Sequence, residues 1–406
     1  MPPPAHITRA RWVIPAEAPP VADGAVVAVD GRIARVGPWR IVEPHVSASD
    51  EVEHVPDAAI LPGLVNAHTH LSLSDMAGRF KPTANFTAWI AKLAVRRLPR
   101  TKAQIRRAVV RGAADSLAAG TVAGADVTPE PEFDEALAGE ARRWCVFGEL
   151  LGFGDGGHKA LDENLAVLEA LHRETGAAVG IAPHAPYTVG VDVFVRARRE
   201  ADARGWPVTT HLHETEDEIA FTERGEGSLH TWLSRLRFLP DDLKPAGLRP
   251  IPVLADAGFF AGPVLVAHGN DLTDEEIGVL GRSGSTVVYC PRSHAFFGHR
   301  DHPWRRLQAA GVNVALGTDS LASCPSLSIL DEMRFLFSRE PDAQPRTVLA
   351  MATVGGARAL GIADRVGEVR EGLSAECCLV GPVPETDEPL RAILSGEGGL
   401  VRVLGR

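Results

Sequence analysis

The sequence predicts an α/β chain, a closed (β/α)8 TIM barrel with a small flanking β-sandwich domain built from both chain ends. Three observations carry that prediction. From about residue 61, short apolar strands alternate with amphipathic helical stretches, the texture of parallel βα units. Eight such strands can be placed, the number that closes a barrel. Before residue 60 and after about residue 362, the chain returns to short strands divided by turn pairs.

Taken in order, segments 24–29 and 32–36 alternate apolar and polar residues and are separated by Asp30-Gly31, a hairpin turn pair. Barrel strands are expected at 64–70, 121–127, 144–150, 178–184, 207–213, 264–268, 286–290 and 312–317. Helical periodicity fills 101–118, 160–173, 192–203 and 274–281 between them. The longest interval between strands, 214–263, has room for a lid or an added helix. Segments 366–369 and 377–380 read as strands again. The expected division is therefore 1–60 with 362–406 as the flanking β domain and 61–361 as the barrel.

At 406 residues the chain is too long for one small core, and its 45% hydrophobic content is ample for a large interior. A net charge of -10 gives no basic surface for nucleic acid, and clusters such as Arg96-Arg97 and Arg305-Arg306 read as solvated faces. The five cysteines, at 145, 290, 324, 377 and 378, form no paired framework, which suits a reducing cytoplasm. Neither a signal-type apolar segment nor a bilayer-length stretch is present, so the expected partner is a small-molecule substrate, with no nucleic acid and no membrane. A homodimer is compatible with this composition.

The strand ends concentrate the chemistry. Strand 1 ends in Asn66-Ala-His-Thr-His70, where alternation puts His68 and His70 on one side. Strand 4 ends with His184, strand 5 with His211-Leu-His-Glu214, strand 6 with His268 and strand 8 with Gly317-Thr-Asp319. In such barrels reacting groups gather at the carboxyl ends of strands. Three imidazoles and a carboxylate suit one divalent ion per chain, Zn²⁺ or Fe²⁺, which assigns His68, His70, His211 and Asp319 as ligands. Glu214, three residues past His211, is placed to shuttle a proton, with His268 and Asp319 beside the reacting centre. His213 shares a strand with His211 but reads as packing or support.

Expected substrate contacts are His184, stiffened by flanking prolines, with Arg292 and His294 just beyond strand 7, Trp89 beside Phe86 as an aromatic wall, Glu149 at the end of strand 3, and Ser320. For Glu149 a metal role and a buried structural role are the alternatives. His158, His230, His299 and His302 read as ordinary.

The segments PGLVNAHTH at 62–70, HLHE at 211–214, AHGNDLTDEE at 267–276 and GTDS at 317–320 resemble the amidohydrolase superfamily over nearly the whole chain. Within it the pattern is similar to the mononuclear deaminase branch. That resemblance implies four ligands, a proton-shuttling glutamate and a histidine after strand 6, matching the residues already assigned. Where binuclear relatives bridge two metals with a modified lysine after strand 4, this chain has His184. The run 293–323 resembles aminodeoxyfutalosine deaminases more than adenosylhomocysteine or methylthioadenosine deaminases, because Ser293-His294 stands where the latter often carry Ser-Asn. The expectation is hydrolytic deamination of an adenine-type ring, releasing ammonia and a 6-oxopurine. Guanine deamination, hydrolysis of a triazine or amide, and a non-catalytic assembly protein are the rivals.

Overall fold

The computed structural model describes residues 3–131, 137 and 143–405. Strands β1 (His6–Val13), β2 (Val21–Val29), β3 (Arg32–Pro38) and β4 (Glu51–Pro62) open the chain. Asp30 and Gly31 both take positive φ, +49° and +73°, the geometry that turns β2 tightly into β3. From the far end come β13 (Cys377–Gly381) and β14 (Gly399–Val403), which complete a six-stranded sheet in the order β14-β13-β4-β1-β2-β3.

Barrel strands fall at the expected places: β5 (Leu64–Thr69), β6 (Thr121–Thr128), β7 (Trp144–Leu150), β8 (Ala178–Pro183), β9 (Thr209–Leu212), β10 (Leu265–His268), β11 (Thr286–Tyr289) and β12 (Asn313–Leu316). β5 to β8 pair in parallel as one half and β9 to β12 as the other. Bridges Ile181–Val208 and Thr69–Asp319 join the halves and close the ring. At the second seam, the Thr318 and Asp319 amides both donate to the His68 carbonyl at 3.1 Å. Gly317 permits that approach, since a Cβ there would meet His68 Cβ and O at 2.9 Å.

Local chemistry sets the outer helices. Thr101 with Gln104, and Thr273 with Glu276, form capping boxes that start Lys102–Ala118 and Asp274–Ser283. Leu161, Leu165, Leu168, Val193, Phe194 and Ala197 on the helices Gly154–Thr175 and Val191–Arg204 are buried in the main core, which packs around the strands. All five cysteines are buried free thiols.

The 214–263 interval holds three α-helices, Glu216–Arg224, Gly227–Arg235 and Pro250–Asp256, and a short 3-10 helix, Phe259–Ala261. Phe221, Leu229 and Leu233 from it join Phe86, Trp89, Leu93, Tyr187 and Phe297 in a separate apolar cluster. The helices Phe86–Arg97 and Gly227–Arg235 are tied together where Thr87 Oγ1 meets Ser228 Oγ at 2.6 Å.

Candidate metal centre and active site

The metal-ligand candidates meet at the carboxyl ends of the strands. His68 ring centroids lie 4.9 Å from His70 and 5.0 Å from His211. His70 Nδ1 sits 2.8 Å from the Val127 carbonyl, which can only accept, so Nδ1 carries the proton and Nε2 keeps its lone pair. His211 Nδ1 meets the His184 carbonyl at 3.1 Å, with the same consequence. The two Nε2 atoms then face each other at 3.4 Å, and His70 Nε2 stands 3.7 Å from Asp319 Oδ1. Two lone pairs so placed repel unless a cation lies between them. Ligand atoms about 2.0–2.1 Å from one tetrahedral ion are about 3.4 Å apart, which is this spacing. Both ring nitrogens of His68 are buried without a hydrogen-bond partner, a costly state unless a ligand satisfies one of them. The donor set fits a divalent ion of the zinc or ferrous type.

Asp319 is aimed by its other oxygen: Oδ2 accepts from Ser293 Oγ at 2.6 Å and Ser323 Oγ at 2.7 Å, leaving Oδ1 toward His70. Its φ of +58°, with +71° at His268 and +53° at His213, puts three non-glycine residues of this region in the left-handed region. Such backbone costs of order 1–2 kcal/mol per residue and persists where surrounding contacts impose it.

Those contacts are visible around Glu214. The buried Glu218 carboxylate accepts the amides of His213 and Glu214, each at 2.9 Å, and Asn270 Nδ2 donates to the Glu214 carbonyl at 3.0 Å. The His213 ring turns away from the metal candidates, between Glu276 at 3.2 Å and Arg249 at 3.3 Å. Burial, followed by the charges of Asp319 and Glu218, raises the Glu214 carboxyl well above its ordinary range. His268 Nε2 lies 3.7 Å from Glu214 Oε1, and burial pushes its pKa down to about 3. The His268 carbonyl accepts from His302 Nε2 at 2.8 Å. His302, read from sequence as ordinary, thus supports the strained His268 backbone.

A cavity of about 360 Å³ opens above these groups. His70, His211, Glu214, His268 and Asp319 line it, together with His184, Glu149, Trp89 and Ser320. His184 Nδ1 is tied to Thr188 Oγ1 at 2.7 Å, and burial, His70 and Arg97 push its pKa down to about 3. Glu149 also lies in a cluster with His184 and His211 whose ligand atoms are within 4.8 Å of one another.

Two expected contacts lie elsewhere. Arg292 Nε pairs with the fully buried Glu332 at 2.7 Å, and its Nη1 donates to Ser326 Oγ at 2.8 Å, so its guanidinium belongs to the barrel wall. His294 packs on Tyr289 and His299, at 5.5 and 5.1 Å between centroids, outside the cavity lining. Both occupy the short helix Pro291–Phe296, where neighbouring side chains fan out around the axis and Ser293 is the one that reaches Asp319.

Sequence reading missed Arg97, Tyr187, Trp232, Leu233, Leu236 and Phe238, all of which line the cavity. The signal for Arg97 was the spacing 86, 89, 90, 93, 97, one face of a helix.

Residues 59–396 match the amidohydrolase family. A 5-methylthioadenosine/S-adenosylhomocysteine deaminase from Halobacterium salinarum is 32% identical over 380 residues, covering 89% of this chain and 80% of that protein. One from Thermococcus onnurineus is 30% identical, with 84% and 79% covered. An adenosine deaminase from Xanthomonas campestris with bound zinc superposes with a TM-score of 0.83 at 26% identity, covering 99% of this chain and 91% of that one. An aminofutalosine deaminase from Helicobacter pylori, in complex with methylthio-coformycin, shares the fold with a TM-score of 0.83 at 22% identity over 98% of both chains. The chain belongs to the amidohydrolase family, within its deaminase branch, and is a hydrolase of C–N bonds.

Proposed function

We propose that this chain is a metal-dependent hydrolytic deaminase of an adenine-type ring, with 6-amino-6-deoxyfutalosine as the favoured substrate. The observation that carries the reading is the buried pair Glu214 and His268, 3.7 Å apart, beside three histidines and Asp319 at the floor of a cavity. His68, His70, His211 and Asp319 would hold one Zn²⁺ or Fe²⁺. When bound, such an ion supplies Lewis acidity, lowering the pKa of its water from about 15.7 toward 7.

The remaining work falls to the chain. A Glu214 that holds a proton can give it to the ring nitrogen next to the carbon losing its amine, and a second proton taken up from water goes to the departing amine. His268 steadies the oxygen that gains charge as the ring carbon becomes tetrahedral. His184, with Nδ1 held by Thr188, offers its other nitrogen to the ring edge. Trp89 and Phe86 wall the flat ring, and Glu149 faces the cavity as an acceptor for sugar hydroxyls. Loss of the amine leaves ammonia and a 6-oxopurine.

Leu93, Trp232, Leu233 and Phe238 make the outer wall apolar. An aryl substituent on the sugar suits that wall, which favours the benzoate-bearing nucleoside. Methylthioadenosine is the second reading, supported by the 32% identity to a methylthioadenosine/adenosylhomocysteine deaminase and by a wall that also accepts a thioether. Ammonia release by metal-loaded protein, assayed on both nucleosides, adenosine and guanine, tests the proposal; no turnover of any adenine nucleoside overturns it.

A further inference from the structure

We infer that Arg97 is the residue that selects an anionic substrate, by pairing with a carboxylate carried on the substituent remote from the reacting ring. The inference rests on the deaminase reading above and names the group that this site recognises.

Among the described residues lining the cavity, Arg97 is the one lysine or arginine, whereas Glu149, Glu214 and Asp319 are acidic. A carboxylate on a substituent remote from the ring finds one cationic side chain in this lining, so Arg97 decides whether it is held. Arg97 closes the helix Phe86–Arg97, and its phase on that helix puts it on the same face as Phe86, Trp89 and Leu93. The neighbouring Arg96 goes another way, lying 5.5 Å from the centre of the Phe80 ring.

The guanidinium is held in readiness rather than consumed. Its ion-pair partner is Glu130, with Nη2 and Oε1 3.5 Å apart and the two side chains 30% and 28% exposed. Among the described residues no side-chain hydrogen bond of Arg97 accompanies that ion pair, in contrast to Arg292, whose fork is filled by Glu332 and Ser326. A planar fork with open donors, beside an aromatic and aliphatic wall, is suited to a carboxylate on an aryl group, which it can grip with two parallel bonds. Glu130 lies outside the cavity lining and competes for the same guanidinium.

The test compares metal-loaded wild type, Arg97→Gln, Arg97→Lys and Glu130→Gln on 6-amino-6-deoxyfutalosine and on methylthioadenosine. Arg97→Gln is expected to lower kcat/KM for the acid-bearing nucleoside by roughly 10- to 100-fold through KM, while values for methylthioadenosine stay within about twofold. Arg97→Lys should restore part of the loss, and Glu130→Gln should lower KM for the acid alone. Equal effects on both nucleosides, or none, overturn the role of Arg97 and leave deamination standing. If wild type turns over neither nucleoside, the deaminase reading falls, and calorimetric titration of wild type and Arg97→Gln with benzoate then decides Arg97 separately. Benzoate binding weakened by the substitution supports the anion site, and unchanged or absent binding overturns it.

Discussion

Glu214 Oε1 and His268 Nε2 stand 3.7 Å apart at the ends of neighbouring strands, both buried and both on the cavity. The separation is too long for a hydrogen bond and short enough for one reacting group to touch both side chains. Replacing Glu214 by Gln keeps the shape and removes the proton carrier. Turnover should fall by about 10²- to 10⁴-fold while metal content per chain is unchanged. A variant that retains near-wild-type kcat sinks the shuttle role.

Removing the metal should destabilise the fold as well as silence it. A ligand that binds only the native state raises stability by mass action, so chelated protein should melt at a lower temperature and recover on adding Zn²⁺. His68→Ala should lose that metal-dependent rise. A metal-induced shift of wild-type size in the variant would show that His68 is no ligand.

Glu218 is expected to matter for rate without touching substrate. Its two oxygens each hold one amide, Oε1 that of His213 and Oε2 that of Glu214, and glutamine puts an NH2 donor against one of them. Glu218→Gln should lower kcat by roughly 10- to 100-fold and leave KM near wild type, since a small misplacement of Glu214 is felt in the transition state. Losses confined to KM would argue for a different role.

Arg292→Ala separates wall from pocket. The substitution strands Glu332 as a buried charge and should cost about 3–5 kcal/mol of stability. KM of the protein that remains folded should not move, because the guanidinium does not line the cavity. Denaturant melts and steady-state kinetics on the same sample read both.

His302 predicts the acid side of the stability profile. Burial holds its folded-state pKa at about 3, below the ordinary 6.5. The unfolded chain therefore binds the extra proton first, so the contribution is complete above about pH 6.5 and is lost as pH falls toward 3. The expected slope is about 1.4 kcal/mol per pH unit from this group alone. Nδ1, where that proton must go, is buried with no partner. His302→Gln should show a shallower loss between about pH 6.5 and pH 5, and an unchanged slope would exclude His302 as a source.

These residues also show what the sequence makes legible. The convergence of His68, His70, His211, Glu214, His268 and Asp319 could be read because strand ends are local features and a parallel barrel puts all of them on one rim. Arg292 and His294 misled because, within a helix of six residues, a shift of one position turns a side chain from the pocket to the wall. Arg97, Trp232 and Leu233 escaped because the wall they form depends on two helices distant in sequence meeting over the barrel mouth, and no local pattern encodes that meeting. His302 was missed for a related reason: its contact is a backbone carbonyl 34 residues away.

The seam between β5 and β12 has a consequence for how the protein matures. His68 supplies a ring to the candidate metal centre and, through its carbonyl, anchors the amides of Thr318 and Asp319. The first and last staves of the barrel are thus fastened at the candidate metal centre. A nascent chain still lacking its last barrel strand has neither the carboxylate nor the closed ring, so tight loading must wait until that strand has been synthesised. Metal retention would then report closure of the barrel seam as well as the presence of the ligands.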